Sequence, residues 1–236
     1  MDFADKIVSR TIAIFFAAVL AVCAYVTYDS IKGHDEVRAT SADALSLVAG
    51  VADENRIEEL QKTVNSEIKA WIELDGTDIS YPITQAADNT FYLTHNFRRD
   101  YAGNGSIFAD FRNNLEQDDY VVVYGHNMNG EQMFGPLKKY ADANYFSTHA
   151  SGKVYTAKGS TEAEVLGYAI VEGDDQGIYG IGGNANGKND ALLQYIKTAA
   201  SQTGQWRNPS GKHSRLMLLS TCYNHSSKRA VVLLAY

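Results

Sequence analysis

Between Arg10 and Asp29 the chain carries no charged residue. The run TIAIFFAAVLAVCAYVTY fills residues 11–28 and is rich in Ala, Ile, Phe and Val. A helix rises about 1.5 Å per residue, so this segment would span roughly 27 Å, close to the thickness of a bilayer core. The run therefore predicts a transmembrane helix. Lys6 and Arg10 precede it, and the flank DSIKGHDEVR after it is mixed with an acidic lean. That asymmetry places the N-terminus in the cytoplasm and the remainder outside. The run is longer than a usual signal-peptide core, which favours an uncleaved signal anchor. Val22-Cys23-Ala24 offers small residues and leaves a cleaved signal peptide as a second reading. A lipid anchor on Cys23 would need a small residue just before the cysteine, where Val22 stands. In every case the body faces the outside.

An external location changes what the composition means. Of 236 residues, 21 are Lys or Arg and 28 are Asp or Glu, a net charge of −7. Asp2 and Asp5 cancel Lys6 and Arg10, so all of that acidity belongs to the external part. A general nucleic-acid binder needs clustered Lys and Arg to neutralise phosphates, so no nucleic-acid partner is expected. Two cysteines, Cys23 and Cys222, exclude a disulfide-rich scaffold and any zinc site built on three or four thiolates. Cys23 is a bilayer-facing apolar residue on this reading.

Residues 29–65 read as a helical connector. Leu45, Val48, Val51, Ile57, Leu60 and Val64 recur at three-to-four spacing with charges between them. The texture changes at Trp71. WIELDGTDISYPI reads as two short strands around the turn signal Asp75-Gly76. Further strands are expected at SIFADF (106–111), YVVVYG (120–125), KVYTA (153–157), EAEVLGYAIVE (162–172), RLMLLSTC (215–222) and RAVVLLAY (229–236). Eight short strands separated by turns predict a barrel or sandwich. YVVVY and LMLL are apolar at every position, as central strands covered on both faces should be. Helical turns are expected near residues 89–93 and 134–140. A longer helix is expected over 190–201, with Leu192, Leu193, Ile196 and Ala200 on one face. The glycine-rich GDDQGIYGIGGNANGK before it lacks P-loop and dinucleotide spacing and reads as a surface loop.

Cys222 is the lone cysteine outside the span. It ends a predicted strand and precedes the polar loop YNHSSK, after which a strand begins at Arg229. In a hairpin, Cys222 and Arg229 face each other, with Cβ atoms about 5 Å apart. An arginine there favours a thiolate and can donate to a developing oxyanion. A surface charge at a strand end explains Arg229 equally well on position alone. A thiolate nucleophile also needs an acid–base partner. Of six histidines, His34 is juxtamembrane, His149 and His213 sit in polar loops and read as solvent-exposed, His95 follows an aromatic helix, and His225 lies three residues from Cys222. His126 stands apart, at the end of the apolar strand YVVVYG and opening the polar stretch NMNGEQ. A catalytic group at the end of a rigid central strand is a common arrangement. These residues alone leave a Cys–His hydrolase or transferase open beside a binding module with a buried cysteine.

LLSTC (218–222), with Arg229 seven positions beyond it, resembles the sortase signature TLxTC with its downstream arginine. YGHNMNG (124–130) is similar to the sortase histidine motif. The resemblance spans about residues 66–236 and includes FYLTHNF (91–97) and GSIFADFRN (105–113). With the predicted helix between the last strands, it points to class B sortases. Leu218 departs from the pattern where the family often has threonine.

The resemblance implies a mainly β fold: an eight-stranded sortase β-barrel with N-terminal helices and one inserted helix, preceded by a single transmembrane helix. The implied division is a tail (1–10), an anchor (11–28), a helical connector (29–65) and a catalytic domain (66–236). It implies that Cys222 is the nucleophile, His126 the general acid and base, and Arg229 the stabiliser of substrate and oxyanion. Ser220 and Thr221 would line the substrate groove, and Tyr223 and Asn224 would shape its mouth. The implied reaction is transpeptidation without metal or organic cofactor. A sorting signal of the LPxTG or NPxTN type is cleaved after threonine through a thioacyl enzyme. The secreted protein is then joined to an amine of the peptidoglycan precursor, the lipid II cross-bridge. The implied site is the cell membrane of a Gram-positive bacterium, with the catalytic domain outside. Three alternatives stand beside this reading. A pilin-polymerising sortase usually carries a lid segment ahead of the barrel, and residues 29–68 hold no such motif. The others are a secreted cysteine peptidase and a non-catalytic surface-binding barrel.

Overall fold

The computed structural model describes residues 3–128, 132–181, 189–211, 213–224 and 226–236. Its first element, α1 (Phe3–Val48), is one unbroken helix of 46 residues. Its early part is exposed, and is long and apolar enough to cross a membrane. There the hydroxyls of Thr11 and Thr27 donate back to the carbonyls of Ile7 and Cys23, so neither hydroxyl is left unpaired on an apolar surface. The later part packs on the body through Val37, Ala44 and Val48, which share one face. Gly50, with φ of 80°, supplies the left-handed residue that ends the helix. The short helix α2 (Arg56–Thr63) comes next, burying Ile57 and Leu60. With Ala44 and Val48 these meet Ile68, Trp71, Phe97 and Tyr155 in a satellite core outside the barrel.

Nine strands succeed one another in the order β1 (Ile68–Leu74), β2 (Ser80–Thr84), β3 (Phe108–Ala109), β4 (Tyr120–Tyr124), β5 (Ser151–Thr156), β6 (Gly159–Glu172), β7 (Gln205–Trp206), β8 (Leu216–Cys222) and β9 (Lys228–Ala235). Eight of them close a barrel in the spatial order β5-β1-β2-β3-β4-β8-β9-β6, with β6 pairing back to β5. Strand β7 lies on β6 as an added edge. Most pairs are antiparallel, but β2–β3 and β4–β8 are parallel. Of the barrel and the sandwich that the strand pattern left open, the chain forms the eight-stranded barrel that the resemblance implies.

The all-apolar strands explain themselves in this setting. Val121 and Val123 of β4 point into the barrel, where Met217, Leu219, Val232 and Leu234 meet them. The alternate residues Tyr120 and Val122 point outward into a second cluster with Leu218, Val231 and Ile178. There the Tyr120 hydroxyl donates to the Ile178 carbonyl at 3.1 Å. Helix α5 (Asn189–Thr203) adds Ile196 and Ala200 to that cluster over β6. Side chains alternate across a strand, so a strand buried on both faces must be apolar throughout.

Some expected elements differ. The strand expected over 106–111 is only Phe108–Ala109. Asp110 turns inward, its side chain takes the guanidinium of Arg112, and its carbonyl accepts from Asn113 N–H in a tight turn. The turns expected near 89–93 and 134–140 are 3-10 helices at Phe91–Leu93 and Gly135–Ala141. The helices α3 (Ala143–Thr148) and α4 (Gln176–Tyr179) and the two-residue β7 are too short to carry a periodic signal. The glycine-rich stretch lies in part, at 182–188, outside the described residues.

Candidate active site

Strands β4 and β8 run side by side in the same direction, with Tyr124 in register with Ser220. Two residues beyond that pair stand His126 on one chain segment and Cys222 on the other. Adjacent strands lie about 4.8 Å apart, so the parallel pairing brings the two ends together. Hydrogen bonds continue past the end of β4. Gly125 N–H donates to the Ser220 carbonyl at 3.1 Å, and the Thr221 hydroxyl donates to the Gly125 carbonyl at 2.8 Å. The Asn127 side-chain amide donates to the carbonyl of Cys222 itself at 2.9 Å. Gly125 is required at this junction. A Cβ there would lie 2.4 Å from Ile107 Cδ1 and 2.7 Å from the Phe134 ring.

Strand β9 returns beside β8 with Arg229 directly opposite Cys222. The turn between them includes Asn224 in the left-handed region at φ 47°. Gly173, after β6, lets the chain pass close to this corner. A Cβ there would sit 2.6 Å from the Ser227 carbonyl and 3.4 Å from Arg229 Cζ. Cys222 is exposed and unbridged. His126 and Arg229 are half-buried.

The His126 ring is oriented from the far wall. Its Nε2 lies 3.0 Å from the carbonyl of Leu93. A carbonyl only accepts, so the proton sits on Nε2, and in the neutral ring Nδ1 is the basic atom. The other described histidines are engaged away from Cys222. His95 stacks on Phe91, His149 stacks on Tyr145, His213 meets Glu164, and His34 meets Gln132. His149 and His213 are thus half-buried rather than solvent-exposed. His225 lies outside the described residues.

A cleft of about 340 Å³ opens over these groups. Cys222, His126, Arg229, Ser220 and Thr221 line it, together with Tyr124 and Tyr179. Tyr223 and Asn224 do not. Tyr223 packs against the barrel core, and Asn224 is exposed in the turn. The Ser220 and Thr221 side chains are nearly fully buried and already engaged, Ser220 with the Tyr179 hydroxyl at 2.8 Å.

One side of the cleft rests on a buried carboxylate, Asp110, which lies within GSIFADFRN but to which the resemblance gave no role. Asp110 has no exposed side-chain surface. It accepts from Arg112 Nε and Nη2 at 2.8 Å each, from the Tyr124 hydroxyl at 2.8 Å and from Asn89 Nδ2 at 2.9 Å. Burial pushes its carboxyl up, but the bonds from Arg112, Tyr124 and Asn89 outweigh burial and hold it below the usual range. Arg112 also donates to the Tyr179 carbonyl at 3.0 Å. Burial raises the phenols. Tyr179 is pushed up to about 12 and Tyr124, beside Asp110, well above its ordinary value. Both are neutral hydroxyls at physiological pH. Among the described residues, no three His, Cys, Asp or Glu side chains cluster to hold a metal ion.

Together these groups make an exposed thiol, an imidazole of fixed tautomer and a guanidinium at one end of a rigid barrel. That set suits acyl transfer through a covalent thioester.

No family model matches the chain. The curated sortase B of Listeria monocytogenes is 33% identical over 192 residues, covering 80% of this chain and 76% of that protein. The crystal structure of sortase B from Bacillus anthracis in complex with AAEK1 superposes with a TM-score of 0.72 at 27% identity. It covers 87% of this chain and 98% of that one. The Staphylococcus aureus sortase B–substrate complex gives a TM-score of 0.71 at 25% identity, covering 86% and 95%.

Proposed function

The chain belongs to the sortase B family of cysteine transpeptidases, and we propose that Cys222, His126 and Arg229 perform its transfer reaction on a C-terminal sorting signal. The observation that carries this reading is the double pairing around Cys222. Arg229 is its register partner on β9, and parallel β4 delivers His126 at the same level on the other side.

A peptide of the LPxTG or NPxTN type enters the cleft, and the Cys222 thiolate attacks the threonine carbonyl carbon. The new C–S bond makes a tetrahedral centre whose oxyanion meets Arg229. As the centre collapses, the C–N bond breaks and His126 in its charged form gives a proton to the leaving amine. A thioacyl enzyme and a neutral His126 remain. An amine of the peptidoglycan precursor then attacks the thioester. His126 takes its proton, the C–S bond breaks, and the thiolate returns. The product is a surface protein joined to the cell wall through a new amide. The substrate complex solved for the Staphylococcus aureus relative supports a cleft that takes such a signal.

On this reading residues 11–28 cross the membrane and the barrel stands outside, where secreted chains and lipid-linked precursor meet. The divisions at residues 10 and 28 are then functional ones, because α1 runs through both without a break. A wall-anchoring enzyme is favoured over a pilin polymerase by the position of residues 29–65. No described residue of that segment lines the cleft as a lid would.

The test uses the full chain in detergent micelles, a panel of sorting peptides and a short glycine peptide as the amine. Cleavage after threonine with transfer to the amine is the expected result. Hydrolysis alone under excess amine would contradict it.

A further inference from the structure

The helix that leaves the anchor touches the loop that carries the histidine. Gln132 is buried in that loop, and its amide meets α1 with both atoms. Gln132 Nε2 donates to the carbonyl of His34 at 2.9 Å, and His34 Nδ1 donates to Gln132 Oε1 at 2.8 Å. These partners lie 98 residues apart in sequence.

The backbone just after Gln132 is held tightly. Met133 is a non-glycine residue in the left-handed region, at φ 53°, a conformation that persists only where surroundings impose it. Its side chain is buried, and its N–H donates to the Tyr81 hydroxyl at 3.0 Å. Met133 bridges to Asn127, and Phe134 N–H donates to the carbonyl of His126 at 3.0 Å. Gly135 N–H donates to the Gln132 carbonyl at 3.0 Å, and a Cβ at Gly135 would fall 2.1 Å from the Met128 carbonyl. A connected path thus runs from His34 through Gln132, Met133 and Phe134 to the backbone carbonyl of His126 itself, while Cys222 is held independently by its strand pairing with β9.

We propose that Gln132, gripped by His34 of α1, is a positioning residue for His126, so that the helix leading from the anchor forms part of the frame of the catalytic site. The proposal rests on the reading of His126 as the acid–base group. Helix docking as such has other supports. Asp43 pairs with Arg98 on the surface, and Ala44 and Val48 enter the satellite core. Among the described contacts of α1, the His34–Gln132 pair is the one that reaches the histidine loop by hydrogen bonds at both amide atoms. Loss of it releases the loop while leaving the thiol and Arg229 in their hairpin. A small misplacement of a catalytic group lowers turnover strongly, by as much as about a hundredfold.

The experiment measures transpeptidation kinetics of the full chain in micelles for Gln132→Ala, His34→Ala, Asp43→Ala and His126→Ala. Alkylation of Cys222 by iodoacetamide is measured alongside. Gln132→Ala is expected to lower kcat about tenfold, with KM within about twofold. His34→Ala, which keeps the backbone carbonyl that Gln132 uses, is expected to lose less. Alkylation in both stays at the wild-type rate. Should Gln132→Ala fail to fold, the His34→Ala result decides. Wild-type kcat in Gln132→Ala and His34→Ala, or an equal loss in Asp43→Ala, overturns the proposal. Full turnover by His126→Ala overturns the underlying reading of His126 instead.

Discussion

Cys222 and Arg229 face each other as a register pair across the last hairpin of the barrel, where β8 ends and β9 begins. The pairing makes the distance between thiol and guanidinium a property of the sheet rather than of a loop. Arg229 presents a planar fork of donors, and lysine would present one flexible point charge. Arg229→Lys should therefore lower kcat/KM about a hundredfold, in line with loss of an oxyanion donor. The thermal midpoint should hold, since this side chain sits half-exposed at a strand end. Steady-state kinetics beside a melting curve check both. Near-normal rates would remove Arg229 from the chemistry.

Gly125 separates the last β4 residue from His126 and has no room for a side chain. Gly125→Ala must displace Ile107 or Phe134, both buried, or else the backbone that carries His126. Overpacking of this kind costs about 1–3 kcal/mol. Turnover should fall further than that loss of stability explains, because the displaced backbone leads directly into His126. A kcat unchanged beside a lowered melting point would show that the junction does not govern His126.

Asp110 predicts a pH dependence of stability. Its folded-state pKa lies below the unfolded value, so the unfolded chain binds the proton more readily. Its contribution is fully present above about pH 4 and drains away as pH falls toward the folded value. Asp110→Asn should cost about 3 kcal/mol near neutrality, leaving the Arg112 guanidinium without its charge partner. The same substitution should flatten the acid side of the stability curve. Urea midpoints from about pH 3 to 7 measure this. An acid limb of unchanged slope in the variant would contradict the assignment.

How much was legible in the sequence depended on how far apart the partners lie. The Cys222–Arg229 pairing comes from counting a six-residue loop between two apolar strands, and it stands in the barrel. The long helix α5 and the doubly buried β4 and β8 carried clear patterns of three-to-four spacing and continuous apolarity. Strand β3 did not, because Asp110 breaks it after two residues to meet Arg112, Tyr124 and Asn89. No local pattern announces a carboxylate whose partners come from three segments. The Leu93 carbonyl that orients His126 is invisible for the same reason, since a backbone acceptor 33 residues away leaves no mark on residue type. Tyr223 looked like a pocket residue by its place beside Cys222. The turn after β8 carries it to the core instead.

The mechanism turns on a covalent bond at one sulfur. Intact-mass measurement of the full chain after brief exposure to a sorting peptide, with no amine present, reads that bond directly. The wild-type protein should gain the mass of the peptide up to its threonine, placed on Cys222 by fragmentation, and should lose it when amine is added. Cys222→Ala should show neither adduct nor cleavage. Cleavage by Cys222→Ala at the wild-type rate, or an adduct on a residue other than Cys222, would contradict the mechanism.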